Sequence, residues 1–171
     1  MSALKSSIPF VIEELNRRFL TPIGQVTFLT FFLVAVIGIG ALGFWVECYK
    51  AWPFWKHETD GVLTAIYTYF PAIAGGSALQ MLMDNRKETQ QHMRSFCVLS
   101  GSVIFLLTLP FMSGVSPGWA FFWGIIGTIA SLLLWWVANG VNPSFLDIDP
   151  NDSLGANPST PPAGDTGGFN L

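Results

Sequence analysis

Four stretches of the chain are apolar without interruption, at about residues 26–46, 62–83, 96–112 and 119–138. A helix rises 1.5 Å per residue, so about 20 such residues reach across the ~30 Å hydrocarbon layer of a bilayer. None of the four holds an interior Asp, Glu, Lys, Arg or His. Continuous apolar runs predict helices, because the strands of a membrane barrel alternate apolar and polar positions over about ten residues. The third run is the shortest and ends near Pro110. Ahead of the first run, Ile8, Ile12, Leu15 and Phe19 recur at i, i+4, i+7 and i+11, the stripe of an amphipathic helix. Glu13 with Arg17 and Glu14 with Arg18 form i,i+4 pairs, Ser7 and Pro9 suit a helix start, and Thr21-Pro22 ends the segment. After Asn139 the periodicity is lost among five prolines, several glycines and four aspartates, a composition that predicts a disordered tail.

The expected fold class is therefore all-α: a polytopic membrane protein with four transmembrane helices, an N-terminal amphipathic helix and a disordered C-terminal tail. Its parts are an arm over residues 1–22, a four-helix transmembrane domain over 23–140 and a Pro/Gly/Asp-rich tail over 141–171. Composition agrees, with 51% hydrophobic and 11% charged residues where a soluble domain carries about a quarter charged. Charge then sets the orientation. Lys5, Arg17, Arg18, Arg86, Lys87 and Arg94 fall on one side of the four spans, and only Lys50 and Lys56 on the other. The positive-inside rule places the larger set, and both termini, in the cytosol. Trp45, Trp52, Trp55, Trp119 and Trp123 would form an outer aromatic belt, with Trp135 and Trp136 an inner one. Cys48 and Cys97 would then lie a bilayer apart, too far for a disulfide.

No cleavable signal peptide is expected, since Glu13, Glu14, Arg17 and Arg18 precede the first apolar run. Proline blocks the glycosylation sequences Asn142-Pro143-Ser144 and Asn157-Pro158-Ser159, in keeping with a bacterial inner membrane. With 8 basic against 11 acidic residues, the chain lacks the basic face of a nucleic-acid binder.

The candidate functional residues are small or apolar rather than catalytic. In the second span Thr64, Thr68, Ala72, Gly76 and Gln80 follow one another at four-residue steps, a face suited to tight helix packing or to lining a pore. Gly38-Ile39-Gly40-Ala41-Leu42-Gly43 has the letters of a dinucleotide-binding turn but sits mid-span, so Gly38, Gly40 and Gly43 read as a place where another helix comes close. Weaker small-residue edges lie at Cys97 with Gly101, and at Ala120, Gly124, Gly127 and Ser131. In the tail, Phe145, Leu146 and Ile148 form a short apolar patch suited to docking a cytosolic protein. The Trp52–Trp55 cluster reads as an interfacial anchor. His57 with nearby acids, and Asp84, Glu88 and His92, lack the spacing that would enforce a metal site. With no catalytic, cofactor or metal motif, the expected function is a non-catalytic, homo-oligomeric membrane subunit that anchors or signals to a cytosolic partner. A regulated pore or channel is the alternative. In size and four-span layout the chain is similar to small membrane subunits of bacterial anti-phage defence systems, including that of the Kiwa system. That resemblance implies a tetraspan oligomer working with a cytosolic effector.

Overall fold

A computed structural model describes residues 8–52, 59–83 and 91–147, and every regular element among them is helical. Helix α1 (Ile8–Leu20) runs into a 3-10 turn at Thr21–Gly24. Helix α2 (Val26–Phe31) continues as a π-helix over Phe32–Gly40, and after a turn at Ala41 the chain resumes as α3 (Leu42–Ala51). Then come α4 (Thr59–Met83), α5 (Gln91–Leu106), the short α6 (Leu109–Met112), α7 (Pro117–Asn139) and a 3-10 turn at Pro143–Phe145.

Three runs, Asp60–Met83, His92–Met112 and Pro117–Asn139, are each long and apolar enough to cross a membrane. Val11–Gly24 and Val26–Gly40 meet that standard only as a pair bent by 89°, which brings the number to three or four. The bend falls at Gln25, whose extended backbone (φ −100°, ψ 111°) separates the 3-10 turn at Thr21–Gly24 from α2. The first apolar run is not one regular helix either. Its π winding spans the segment with Gly38 and Gly40, where the absence of side chains permits the wider coil.

The core is built on α4, whose most extensive contacts are with α7 and next with α5. Val62, Leu63, Ile66, Phe70, Ala74 and Met81 of α4 meet Ala120, Leu134 and Ala138 of α7 and Cys97 and Ile104 of α5. Large side chains fit there because α7 offers almost none in return: Ala120, Gly124, Gly127 and Ser131 are all buried. A Cβ on Gly124 would stand 2.7 Å from Ile66 Cγ2, and one on Gly127 2.9 Å from the Phe70 ring. Tyr67 closes the contact, donating from its hydroxyl to the Ala120 carbonyl at 2.8 Å and stacking on Phe111. A second, aromatic core joins α2 and its π-helical continuation to the end of α7 and the turn after it, where Phe28, Phe32, Trp135, Trp136 and Phe145 pack together.

Candidate functional site at the α1 end of the bundle

Chemically active side chains gather where α1, the start of α2, and the end of α7 converge. On α1 the expected amphipathic helix forms, but its polar pair turns inward. Glu14 is 7% exposed and Arg18 only 1%, while Ile12 of the apolar stripe is 60% exposed and Phe19 also lies open. At 3.6 residues per turn the buried face sits roughly a quarter turn from the apolar stripe, so α1 has a face for the bundle, an apolar face and a polar face.

Glu14 takes both arginines. Arg18 Nε donates to Glu14 Oε1 at 2.7 Å, and Arg17 donates from Nε and Nη2 to the two carboxylate oxygens at 2.8 Å each. Arg17 thus pairs with Glu14 in place of the expected Glu13, because a bidentate fork is stronger than a single exposed i,i+4 contact. Burial by itself would raise the Glu14 carboxyl. The hydrogen bonds from Arg17 and Arg18, with their charges, outweigh it and hold the group below the ordinary carboxylate value. Arg18 also reaches across to α7, with Nη1 3.5 Å from the Val137 carbonyl, so a cation rests on the last turn of a helix where the backbone dipole favours it. Beside it, Gln80 Nε2 donates to Asn139 Oδ1 at 2.7 Å and Asn139 Nδ2 donates to the Trp135 carbonyl at 3.0 Å. Gly140 admits the α1 backbone at Arg18, in a space that any Cβ would fill.

The chain stays on the bundle for longer than the composition break at Asn139 predicts. Phe145 packs its ring 4.6 Å from that of Phe31 and contacts Phe28 and Trp135, and Leu146 is half-buried. Asp147 then caps α2 from about 120 residues away. Its Oδ2 accepts from the Val26 backbone N–H at 2.7 Å and its Oδ1 from Thr27 N–H at 2.9 Å, while its own N–H donates to Gln25 Oε1 at 2.7 Å. Gln25, at the cap position of α2, has no side-chain capping bond of its own, and the aspartate supplies the missing acceptor. Hydrogen bonds from Thr27, by side chain and then backbone, and from the Val26 backbone hold the Asp147 carboxyl below its usual value. These residues tie the chain that follows α7 to the start of α2.

The sequence-derived candidates fall in three places. Thr64, Thr68, Ala72 and Gly76 are exposed on the side of α4 away from its buried face, whereas Gln80, where the stripe has wrapped round the helix, reaches Asn139 of α7. A Cβ on Gly76 would meet nothing, and the Thr68 hydroxyl turns back to the Thr64 carbonyl. Gly43 likewise has open space beside it, whereas a Cβ on Gly40 would come 3.5 Å from the Tyr69 ring and one on Gly38 would meet only its own helix. Phe145 joins the aromatic core and Leu146 is half-buried; Ile148 lies outside the described residues, as do His57, Asp84 and Glu88. Cys48 and Cys97 are unbridged. Among the described residues no three His, Cys, Asp or Glu side chains come together as a metal site. The inward Glu14–Arg18 pair and the Asp147 cap went unread in the sequence, although the Glu14/Arg18 spacing and an aspartate beside an apolar patch were both visible. No protein-family model, curated protein or solved structure matches the chain.

Proposed function

We propose that the chain is a non-catalytic integral membrane subunit, crossing the bilayer four times with both termini in the cytosol, that relays the binding of a cytosolic protein on its tail to the first span. On this reading the first span is Val26–Ala51, and α1 lies along the inner interface at right angles to it. The exposed apolar stripe of α1 would rest on lipid while Glu14 and Arg18 seal the bundle.

The observation that carries the proposal is the Asp147 cap. It places the root of the acidic tail on the first backbone N–H groups of the first span, so a protein that pulls on residues 148–171 acts directly on that helix. Self-association through Thr64, Thr68, Ala72 and Gly76 completes the reading, since small residues on an uncovered membrane-helix face favour close approach of another helix.

The test is purification of the tagged protein from its native host in mild detergent, with the mass of the complex measured and its components identified. The proposal expects a homo-oligomer carrying a cytosolic protein in fixed ratio, lost when the chain is truncated after Asp147. A monomer without a partner would refute it. A regulated pore is the second reading, favoured by the hydroxyls of Thr64 and Thr68 on the same uncovered face. It requires that the purified oligomer alone conduct ions in planar bilayers and that Thr68→Leu alter the conductance.

A further inference from the structure

The interruption of the first long helix at Ala41 stands beside a cavity. Two carbonyls next to the interruption receive side-chain donors: the Tyr69 hydroxyl reaches the Val36 oxygen at 2.8 Å, and Trp45 Nε1 reaches the Ile37 oxygen at 2.9 Å. Between this stretch, α4 and α7 lies a cavity of about 180 Å³ whose walls include Ala41, Trp45, Tyr69, Ile125, Thr128 and Ile129. Its third polar side chain, Thr128, donates to the Gly124 carbonyl at 2.8 Å. All three polar groups on the wall are therefore engaged with the chain itself.

Water needs about two to four polar partners to occupy such a space, and this wall offers it no free side-chain donor, only the acceptor sides of the Tyr69 and Thr128 hydroxyls, whereas an apolar cavity of ~150 Å³ is large enough to take a benzene ring. Ile125 and Ile129, at 52% and 55% exposed, flank the cavity on the outer surface of the bundle. For a chain inserted as proposed above, the medium at that depth is hydrocarbon.

We propose that this cavity is a binding site for the acyl chain of a membrane lipid, which enters sideways between the first span and α7 and fills the space beside the helix interruption. The ligand is a hydrocarbon because the wall is otherwise apolar and offers it no free side-chain hydrogen-bond donor. It is a lipid chain rather than a free solute because the cavity adjoins the side surface of the bundle. The inference rests on the membrane reading, and the experiment separates the two.

The full chain is reconstituted in nanodiscs of phosphatidylcholine bearing a photoactivatable diazirine near the end of one acyl chain, irradiated, and mapped by peptide mass spectrometry. Leu133, exposed on α7, reports insertion, while Ala41, only 6% exposed, and Tyr69 report entry into the cavity. The expected result is labelling at all three. Filling the cavity with Ala41→Leu, or from the opposite wall with Thr128→Leu, should lower Tyr69 labelling about tenfold and leave Leu133 unchanged. Labelling of Leu133 without Ala41 and Tyr69 overturns the site and leaves membrane insertion standing. Absence of label at Leu133 overturns both. Tyr69 labelling that survives both folded variants shows a chain lying on the surface and also overturns the site.

Discussion

Two stripes of small residues run along this molecule, and they have opposite fates. Ala120, Gly124, Gly127 and Ser131 of α7 are buried to the backbone under Ile66 and Phe70. Thr64, Thr68, Ala72 and Gly76 of α4 are open along their length. The difference lies in what stands opposite. The α7 stripe meets the bulky face of α4, large side chains into absent ones, which is how two helices approach closely at interior packing density. That contact uses the bulky face of α4 and turns its small face outward. A small-residue stripe thus identifies a surface fit for close approach, and the bulk of its neighbours decides whether the chain itself fills it.

Four substitutions break or sharpen this contrast, in falling order of effect. Gly127→Leu drives a side chain into the Phe70 ring and should cost about 3 kcal/mol or more, read as a lowered midpoint of unfolding in detergent; an unchanged midpoint would mean that the α4–α7 contact is loose. Glu14→Ala tests whether the polar seal depends on complementarity in the same way. It leaves the Arg18 guanidinium buried without its carboxylate, at about 3 kcal/mol by analogy with other broken buried pairs, and protease access to the α1–α2 bend should rise.

Gly76→Leu should move the unfolding midpoint by no more than about 0.5 kcal/mol, as expected of an open surface. It should lower the particle mass in detergent if a second copy covers the stripe; a stable midpoint with an unchanged mass would show that the face meets lipid alone.

The smallest effect concerns the cap. Because the folded Asp147 carboxyl lies below its ordinary 3.8, its contribution is fully present above that value and is lost as pH falls through the lower folded one. Hydrogen-exchange protection of the Val26 and Thr27 amides, corrected for intrinsic rate, should hold from neutral pH to about 5 and fall below about 4. Asp147→Ala should remove it at every pH.

Much of the frame was legible. The runs at about 62–83 and 119–138 appear as α4 and α7 within a few residues, because unbroken apolarity at helical length has one economical structure. The Ala120–Ser131 edge was legible as a packing edge for the same reason. What escaped was relational. The rule that an amphipathic helix presents its apolar side to the protein fails at α1, where the neighbour is the carbonyl-rich end of α7 and a guanidinium is the better fit. The apolar character of Phe145 was plain, but two of its aromatic neighbours, Phe28 and Phe31, come from a helix more than a hundred residues earlier. Nor does any local spacing announce an aspartate that caps a helix across the whole chain, or the change from α to π winding inside a run of apolar letters.

The Asp147 cap also decides how the molecule answers to force. A load applied beyond residue 147 would ordinarily be borne first by the end of α7. Here it is delivered through two hydrogen bonds to Val26 and Thr27, so the first and last long helices share the tension from its onset. In a pulling experiment they should come away from the bundle together as one mechanical unit, and Asp147→Ala should separate that event into two.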